Sequence, residues 1–122
     1  MNIPTSFVFS NGGIIVSEAP TFLFLKDTTG DDVADIKKEI LTGWGKTDTH
    51  AQSSNLHYGF DNKIWGMVGY SGFKRKSGND SLAFSNAMFR FDPNNTTAIE
   101  FWGNTSNNTW GVGFSEENDV FI

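Results

Sequence analysis

The chain has 122 residues, of which 38% are hydrophobic and 15% aromatic, a composition that supports a folded core and excludes a disordered protein. Its net charge of −5 argues against nucleic acid as a partner, and the absence of cysteine excludes thiol catalysis, thiolate zinc sites and covalent c-type haem. No apolar run reaches the roughly twenty residues that a membrane-spanning helix needs, and the sequence shows no signal peptide.

A hairpin of apolar strand, polar turn and apolar strand occurs three times along the chain. Its copies lie at residues 7–16, 58–66 and 113–122. Their anchoring aromatic residues Phe9, Phe60 and Phe114 are separated by 51 and then 54 residues. A period near fifty with several short strands per unit is typical of β-propeller blades. The sequence therefore predicts an all-β fold, a β-propeller fragment of about two four-stranded antiparallel blades plus the first hairpin of a third.

Apolar runs between turn residues predict the strands in chain order. The first blade covers about residues 5–42, with strands at 5–10, 13–18, 21–26 and 36–42. The second covers about 54–102, with strands at 54–59, 63–69, 85–91 and 97–102, and the third covers about 110–122. A short helix at 32–41 competes with the fourth strand. Because a closed propeller needs roughly four to eight blades, we expect the rest of the ring from a longer polypeptide or from self-association.

Consecutive antiparallel strands reverse direction, so alternate loops are expected at opposite ends of a blade. One end is predicted to carry residues 18–20, 43–53, 103–109 and a long loop at 70–84. The opposite end carries the hairpin turns and residues 27–35. Long insertions usually mark the binding face of a repeat fold, which makes the end with residues 43–53 the predicted binding face.

Residues 27–35 alternate carboxylates around a glycine, in a pattern similar to calcium-binding loops. The expected oxygen ligands of Ca²⁺ are Asp27, Thr29, Asp31, the carbonyl of Val33, and Asp35. Thr29 and Asp32 depart from the usual pattern, so an acidic turn without metal is the alternative. At the end opposite the binding face, such an ion would be structural.

The densest polar stretch, residues 43–56, crosses the predicted binding face and contains His50. Histidine is well suited to take a proton near neutral pH, and Asp48 is near enough in sequence to orient it. A surface histidine without a chemical role is the alternative. His57, inside a predicted strand, is expected to be structural.

A second polar loop, residues 103–110, lies at the equivalent point of the next blade and contains Asn107 and Asn108. Asparagine side chains stabilise turns, and they also offer amide groups to a ligand. The residue pattern leaves both interpretations open.

Two stretches resemble the six-bladed propellers of the glucose/sorbosone dehydrogenase superfamily. Those proteins carry a histidine, a leucine about five residues later, G-x-D-x-x-[IL]-[YW] and a strand ended by glycine. The matching residues, with one extra residue before the leucine, are His50, Leu56, Gly59, Asp61, Ile64, Trp65 and Gly69. One blade later the superfamily carries N-x-x-G-[LV]-x-F, matched by Asn108, Gly111, Val112 and Phe114.

A closer resemblance is to large exported bacterial proteins described as membrane-bound dehydrogenases, in which such a propeller often precedes helical repeats and a cytochrome c-type domain. Their motifs are matched by the pair Ala19-Pro20, by residues 27–35 and by residues 43–50. The resemblance implies a periplasmic or extracellular location. It also implies a cytochrome c domain in the longer polypeptide to which this chain would belong.

In the superfamily's sugar dehydrogenases, the matching histidine removes a hydroxyl proton while hydride passes to pyrroloquinoline quinone. The resemblance thus implies an oxidoreductase of a small polyol or sugar, with His50 as base beside Asp48, and with Asn107 and Asn108 in the quinone site. Asn107 replaces an arginine of those enzymes, and Thr49 replaces an acidic residue. A non-catalytic propeller module that binds carbohydrate or a protein partner, stabilised by calcium, is the alternative function.

Overall fold

The computed structural model describes residues 3–107 and 110–122, which form two four-stranded antiparallel sheets and two hairpins. The first sheet has the order β1 (Ser6–Ser10), β2 (Gly13–Glu18), β3 (Thr21–Lys26) and β4 (Ile36–Thr42). The second has the order β5 (Ser53–Tyr58), β6 (Ile64–Val68), β9 (Ala87–Asp92) and β10 (Asn95–Asn104). The hairpins pair β7 (Phe73–Ser77) with β8 (Asp80–Phe84), and β11 (Gly113–Phe114) with β12 (Val120–Phe121). The predicted all-β fold, with two blades and the start of a third, is confirmed.

The predicted strand at residues 36–42 is confirmed, and the helix considered as its alternative does not form, because Ile36–Thr42 pairs with β3 along its length. One detail of the predicted strands is wrong. Residues 70–84, predicted as one long loop, contain the β7–β8 hairpin, which turns at Gly78 with φ of 59°. The hairpin has few apolar residues, so the sequence shows no clear strand pattern there. Two of these residues, Phe73 and Phe84, stack with their ring centroids 5.1 Å apart. Over residues 3–107 and 110–122, no helix is long and apolar enough to span a membrane.

The two sheets stack face to face, with β1 against β5 and β4 against β10. Because successive side chains of a strand point to opposite faces, every second residue enters the space between the sheets. Phe22 is fully buried there, with its ring parallel to that of Trp44 at 4.6 Å and tilted against Phe89 at 6.1 Å. The first strands of the two sheets lie against each other, and so do the last strands, as in neighbouring blades of a propeller.

Side-chain hydrogen bonds join the two first strands along a line that we call the β1–β5 seam. Its bonds run from Thr5 Oγ1 to the Ser53 carbonyl, from the Leu56 amide to Ser6 Oγ at 2.9 Å, and from the Tyr58 hydroxyl to Ser10 Oγ at 3.0 Å. At one end of the seam, the fully buried hydroxyls of Ser17 and Ser53 lie 2.6 Å apart. The seam fixes the register of one sheet on the other.

The outer faces of the two sheets differ in what covers them. Phe114 of β11 packs on the second sheet, stacked on His57 at 5.7 Å and edge-on to Trp65 at 5.5 Å. His57 is therefore part of this packing, as expected. On the outer face of the first sheet, Phe7 and Phe9 are 58% and 73% exposed. An apolar face of a β-sheet is thus open to solvent on this side.

Candidate functional site

Hydrogen bonds gather the loops of the predicted binding face at one end of the sheets. The backbone bonds are Gly43 to the Pro20 carbonyl at 3.0 Å, Gly45 to Gly72 at 2.9 Å, Ser71 to Ala51 at 3.3 Å and Thr105 to Asn86 at 2.6 Å. The β2–β3 turn, the segment between the sheets, the β7–β8 hairpin and the start of residues 103–109 therefore meet at this end, as the alternation of strands predicts.

The Gly-Trp-Gly motif at residues 43–45 anchors the polar segment to the core. Trp44 is only 2% exposed, and its ring packs on Phe73 at 4.7 Å as well as on Phe22. Gly45 permits a close approach of two backbones, since a Cβ there would lie 1.8 Å from the carbonyl oxygen of Ser71. The motif thus binds the β7–β8 hairpin to the segment that leads to His50.

His50 lies in a 3₁₀ turn, Thr49–Ala51, that Asp48 caps. Oδ1 of Asp48 accepts a hydrogen bond from the His50 amide at 2.8 Å and lies 3.4 Å from His50 Nδ1. The His50 side chain is 95% exposed, whereas that of Asp48 is 34% exposed. One nitrogen of the imidazole therefore faces a carboxylate, and the other is open to a ligand on the binding face.

Two residues that the sequence did not single out hold Asp48 from the other side. The hydroxyl of Tyr70 donates to Asp48 Oδ2. Ser71 Oγ donates to the Asp48 carbonyl at 3.0 Å and accepts from the Asp48 amide at 3.2 Å. The hydrogen bonds from Tyr70 and from the His50 amide lower the pKa of Asp48, and the same bond to Asp48 raises the pKa of Tyr70. Near neutral pH the pair is an ionised carboxylate and a protonated phenol.

A groove of about 420 Å³ borders this cluster on the side of the hairpin. Its walls include Gly43, Gly45, Tyr70, Ser71, Lys74 and Ser85. The volume falls in the roughly 300–1,000 Å³ range of small-molecule sites. Tyr70 belongs both to the groove wall and to the Asp48 cluster, so a molecule in the groove would lie beside the His50 site.

The predicted quinone site is represented by a single described residue. Asn107 is exposed, and its carbonyl accepts a hydrogen bond from Thr105 Oγ1 at 2.9 Å. Asn108 lies outside the described residues. By resemblance, an arginine at this position would stabilise negative charge on the reduced quinone, and Asn107 offers an amide without that charge. The donor set in the described part of the chain therefore does not by itself fit this cofactor.

The carboxylates of the predicted calcium loop bind the loop's own backbone. Asp27 accepts hydrogen bonds from the amides of Gly30 at 2.7 Å, Thr29 at 2.9 Å and Asp32 at 2.9 Å. The bond from Gly30 is the largest of the causes that set the pKa of Asp27 below its usual value. Asp32 has a φ of 63°, at the position where calcium loops usually place glycine.

The far end of the loop is closed in the same way. Asp35 accepts from the hydroxyl and the amide of Thr28, at 2.6 and 2.8 Å. Among the residues that the structure describes, no group of three His, Cys, Asp or Glu side chains is placed to hold a metal ion. The loop's own donors thus hold Asp27 and Asp35 as in an acidic turn, and calcium binding by Asp27, Thr29, Asp31, Val33 and Asp35 stays a prediction.

Comparison with known proteins gives a family without an assigned function. All of the chain, residues 1–122, matches the family model described as Domain of unknown function (DUF7133). No curated protein and no solved structure matches the chain. The match over the full length shows that this chain belongs to the DUF7133 family.

Proposed function

We propose that this chain carries the proton-abstracting part of a sugar or polyol dehydrogenase site in a β-propeller, with His50 as the general base. The observation that carries the proposal is the exposed imidazole of His50, whose Nδ1 lies 3.4 Å from Asp48 on the end where the long loops meet. A histidine with one nitrogen near a carboxylate and the other open to a ligand is the usual arrangement of a general base. The resemblance to the glucose/sorbosone dehydrogenase superfamily supports the same residue.

In this mechanism, Nε2 of His50 takes the proton of a substrate hydroxyl. The imidazolium that forms is stabilised by the ionised Asp48 carboxylate, whose charged form is further favoured by the bonds from Tyr70 and from the His50 amide that lower its pKa. By resemblance, pyrroloquinoline quinone would supply the two-electron acceptor, and further blades would supply its binding groups.

The test is turnover by the full-length protein with a panel of sugars and polyols, measured as reduction of an electron-accepting dye after addition of the quinone. We expect His50→Gln to lower the rate about 100-fold or more, since a general base contributes roughly 10² to 10⁴. His57→Gln is the matched control, because His57 packs on Phe114 and has no place in the mechanism. Equal rates for wild type and His50→Gln would overturn the assignment.

A non-catalytic module that binds carbohydrate or a protein partner is the second candidate, favoured by the amide of Asn107 and by the groove at Tyr70. Aromatic rings beside hydroxyl groups suit a sugar. If the protein is such a module, we expect saturable glycan binding that Tyr70→Ala abolishes, and no dye reduction by the wild-type protein. Binding retained in Tyr70→Ala would exclude the groove as its site.

We also propose that other blades cover the open face at Phe7 and Phe9, either from a longer chain or from another copy of this one. Native mass spectrometry separates the two cases, since a discrete oligomer indicates self-association and a monomer indicates blades on a longer chain. By family resemblance, the location is periplasmic or extracellular, and cell fractionation tests it.

A further inference from the structure

We infer that Tyr70 and Ser71, at the base of the β7–β8 hairpin, are positioning residues that hold His50 through Asp48. The inference rests on the proposed role of His50 as a base. Neither residue is part of the motifs that suggested the site. Both lie more than twenty residues from Asp48 in sequence and reach it through the fold.

Ser71 fixes the backbone of Asp48. Its single hydroxyl donates to the Asp48 carbonyl at 3.0 Å and accepts from the Asp48 amide at 3.2 Å. The hydroxyl of Thr47 lies 3.3 Å from the same oxygen. Because both polar groups of one residue are bound by one side chain, the peptide that leads into the His50 turn is held in a single orientation.

Tyr70 fixes the side chain of Asp48. Its hydroxyl binds Oδ2, while Oδ1 is bound by the His50 amide at 2.8 Å and faces the His50 ring. Both carboxylate oxygens are therefore engaged, and rotation of the carboxylate away from the imidazole would break the bond to Tyr70. Hydrogen bonds to a charged group are stronger than those between neutral groups, which favours this orientation.

The base of the hairpin is itself rigidly held, so it can act as a support. The Lys74 amide donates to the Gly43 carbonyl at 2.8 Å, and the Gly72 amide donates to Gly69 at 3.2 Å. Phe73, two residues after Ser71, is buried against Trp44. Tyr70 and Ser71 are thus connected to the same aromatic core that anchors the segment before His50.

The first experiment measures turnover of Tyr70→Phe and Ser71→Ala in the full-length protein. We expect kcat to fall about 10- to 100-fold in each, since a base displaced by about 1 Å loses rate on this scale. Tyr58→Phe is the matched control, because the Tyr58 hydroxyl binds Ser10 in the β1–β5 seam, far along the strand from His50. In an Asp48→Asn background, Tyr70→Phe should have no further effect. An undiminished effect there would show that Tyr70 does not act through Asp48.

The second experiment needs no turnover. The chain has two tyrosines, so NMR of labelled tyrosine in a Tyr58→Phe variant of the 122-residue chain reports the ionisation of Tyr70 alone. We expect Asp48→Asn to lower the pH at which Tyr70 ionises. An unchanged titration would overturn the contact and with it the inference. If His50→Gln keeps full turnover while this titration shifts, the proposed base has failed but the contact stands; if His50→Gln is inactive and Tyr70→Phe is fully active, the positioning role has failed alone.

Discussion

The indole nitrogen of Trp65 donates a hydrogen bond to Oδ1 of Asp61 at 3.0 Å across the turn between β5 and β6. The Lys63 amide donates to the same oxygen at 3.1 Å, and Arg90 binds the other carboxylate oxygen at 3.0 Å. Gly59 leaves room for the indole. This part of the superfamily-like motif therefore stabilises a turn, at the end of the sheet opposite His50.

Replacement of Gly59 by alanine should destabilise the fold by about 1–3 kcal/mol, the usual cost of forcing an extra methyl group into a packed site. A Cβ at Gly59 would lie 2.4 Å from the Trp65 indole nitrogen, whereas a Cβ at Gly103 would meet nothing within 4 Å. Gly103→Ala is therefore the control, with an expected change within about 0.5 kcal/mol. Urea unfolding followed by tryptophan fluorescence measures both. Similar losses in the two variants would contradict the packing at Gly59.

The buried serine pair between the sheets should behave as a coupled unit. Ser17→Ala leaves the buried Ser53 hydroxyl without its bond to Ser17, so we expect a loss of about 1–3 kcal/mol in the free energy of unfolding. The Ser17→Ala/Ser53→Ala double variant should lose less than the sum of the single variants. A double-mutant cycle from denaturant unfolding gives the coupling. Additive losses would mean that the two hydroxyls do not interact in solution.

The Asp48 cluster should make stability fall in acid. The pKa of Asp48 is lowered in the folded protein, first by the bond from Tyr70 and then by that from the His50 amide. A group of this kind stabilises the fold above its unfolded pKa, and the contribution is lost as pH falls through the folded value. Below about pH 4, wild type should therefore lose Tm more steeply than Asp48→Asn. Asp27, Asp35 and Glu100 also have lowered pKa values but titrate in both proteins. Parallel Tm curves from pH 7 to 2.5 would contradict the contribution of Asp48.

Calcium should have little effect on the stability of this chain. The carboxylates of Asp27 and Asp35 already accept hydrogen bonds from amides and a hydroxyl of their own loop, so the loop is held in its conformation without an ion. We expect the same Tm in millimolar calcium and in chelator. A calcium-dependent rise in Tm that Asp27→Asn removes would establish the site predicted from the sequence, since a ligand that binds only the folded state stabilises it.

Local patterns predicted most of the strands, and contacts distant in sequence explain what they missed. The apolar runs around Phe9, Ile15 and Phe22 are each bounded by turn residues, and all three lie in the strands that this pattern predicts. The β7–β8 hairpin carries mostly polar and glycine residues between Phe73 and Phe84, so its pairing had no local signal.

In the candidate site, too, local sequence patterns predicted some contacts and missed those between residues distant in sequence. His50 and Asp48 are neighbours in sequence, and their contact was expected from spacing alone. Tyr70 reaches Asp48 only because β6 returns the chain to the same end of the sheet. The glycines at 69 and 72 around Tyr70 and Ser71 were the one available signal of a tight turn there.

The end of the β1–β5 seam at Ser53, opposite the end at Tyr58, also determines where the candidate base lies. Ser53 follows His50 by three residues and is bound to Thr5 and Ser17 of the first blade. If one sheet slipped over the other by a single residue, these bonds would break together and His50 would be displaced. The location of His50 therefore depends on how the two blades are aligned. If residues 43–52 were transplanted onto an unrelated sheet, the turn capped by Asp48 would still form, but His50 would no longer be held in the same place.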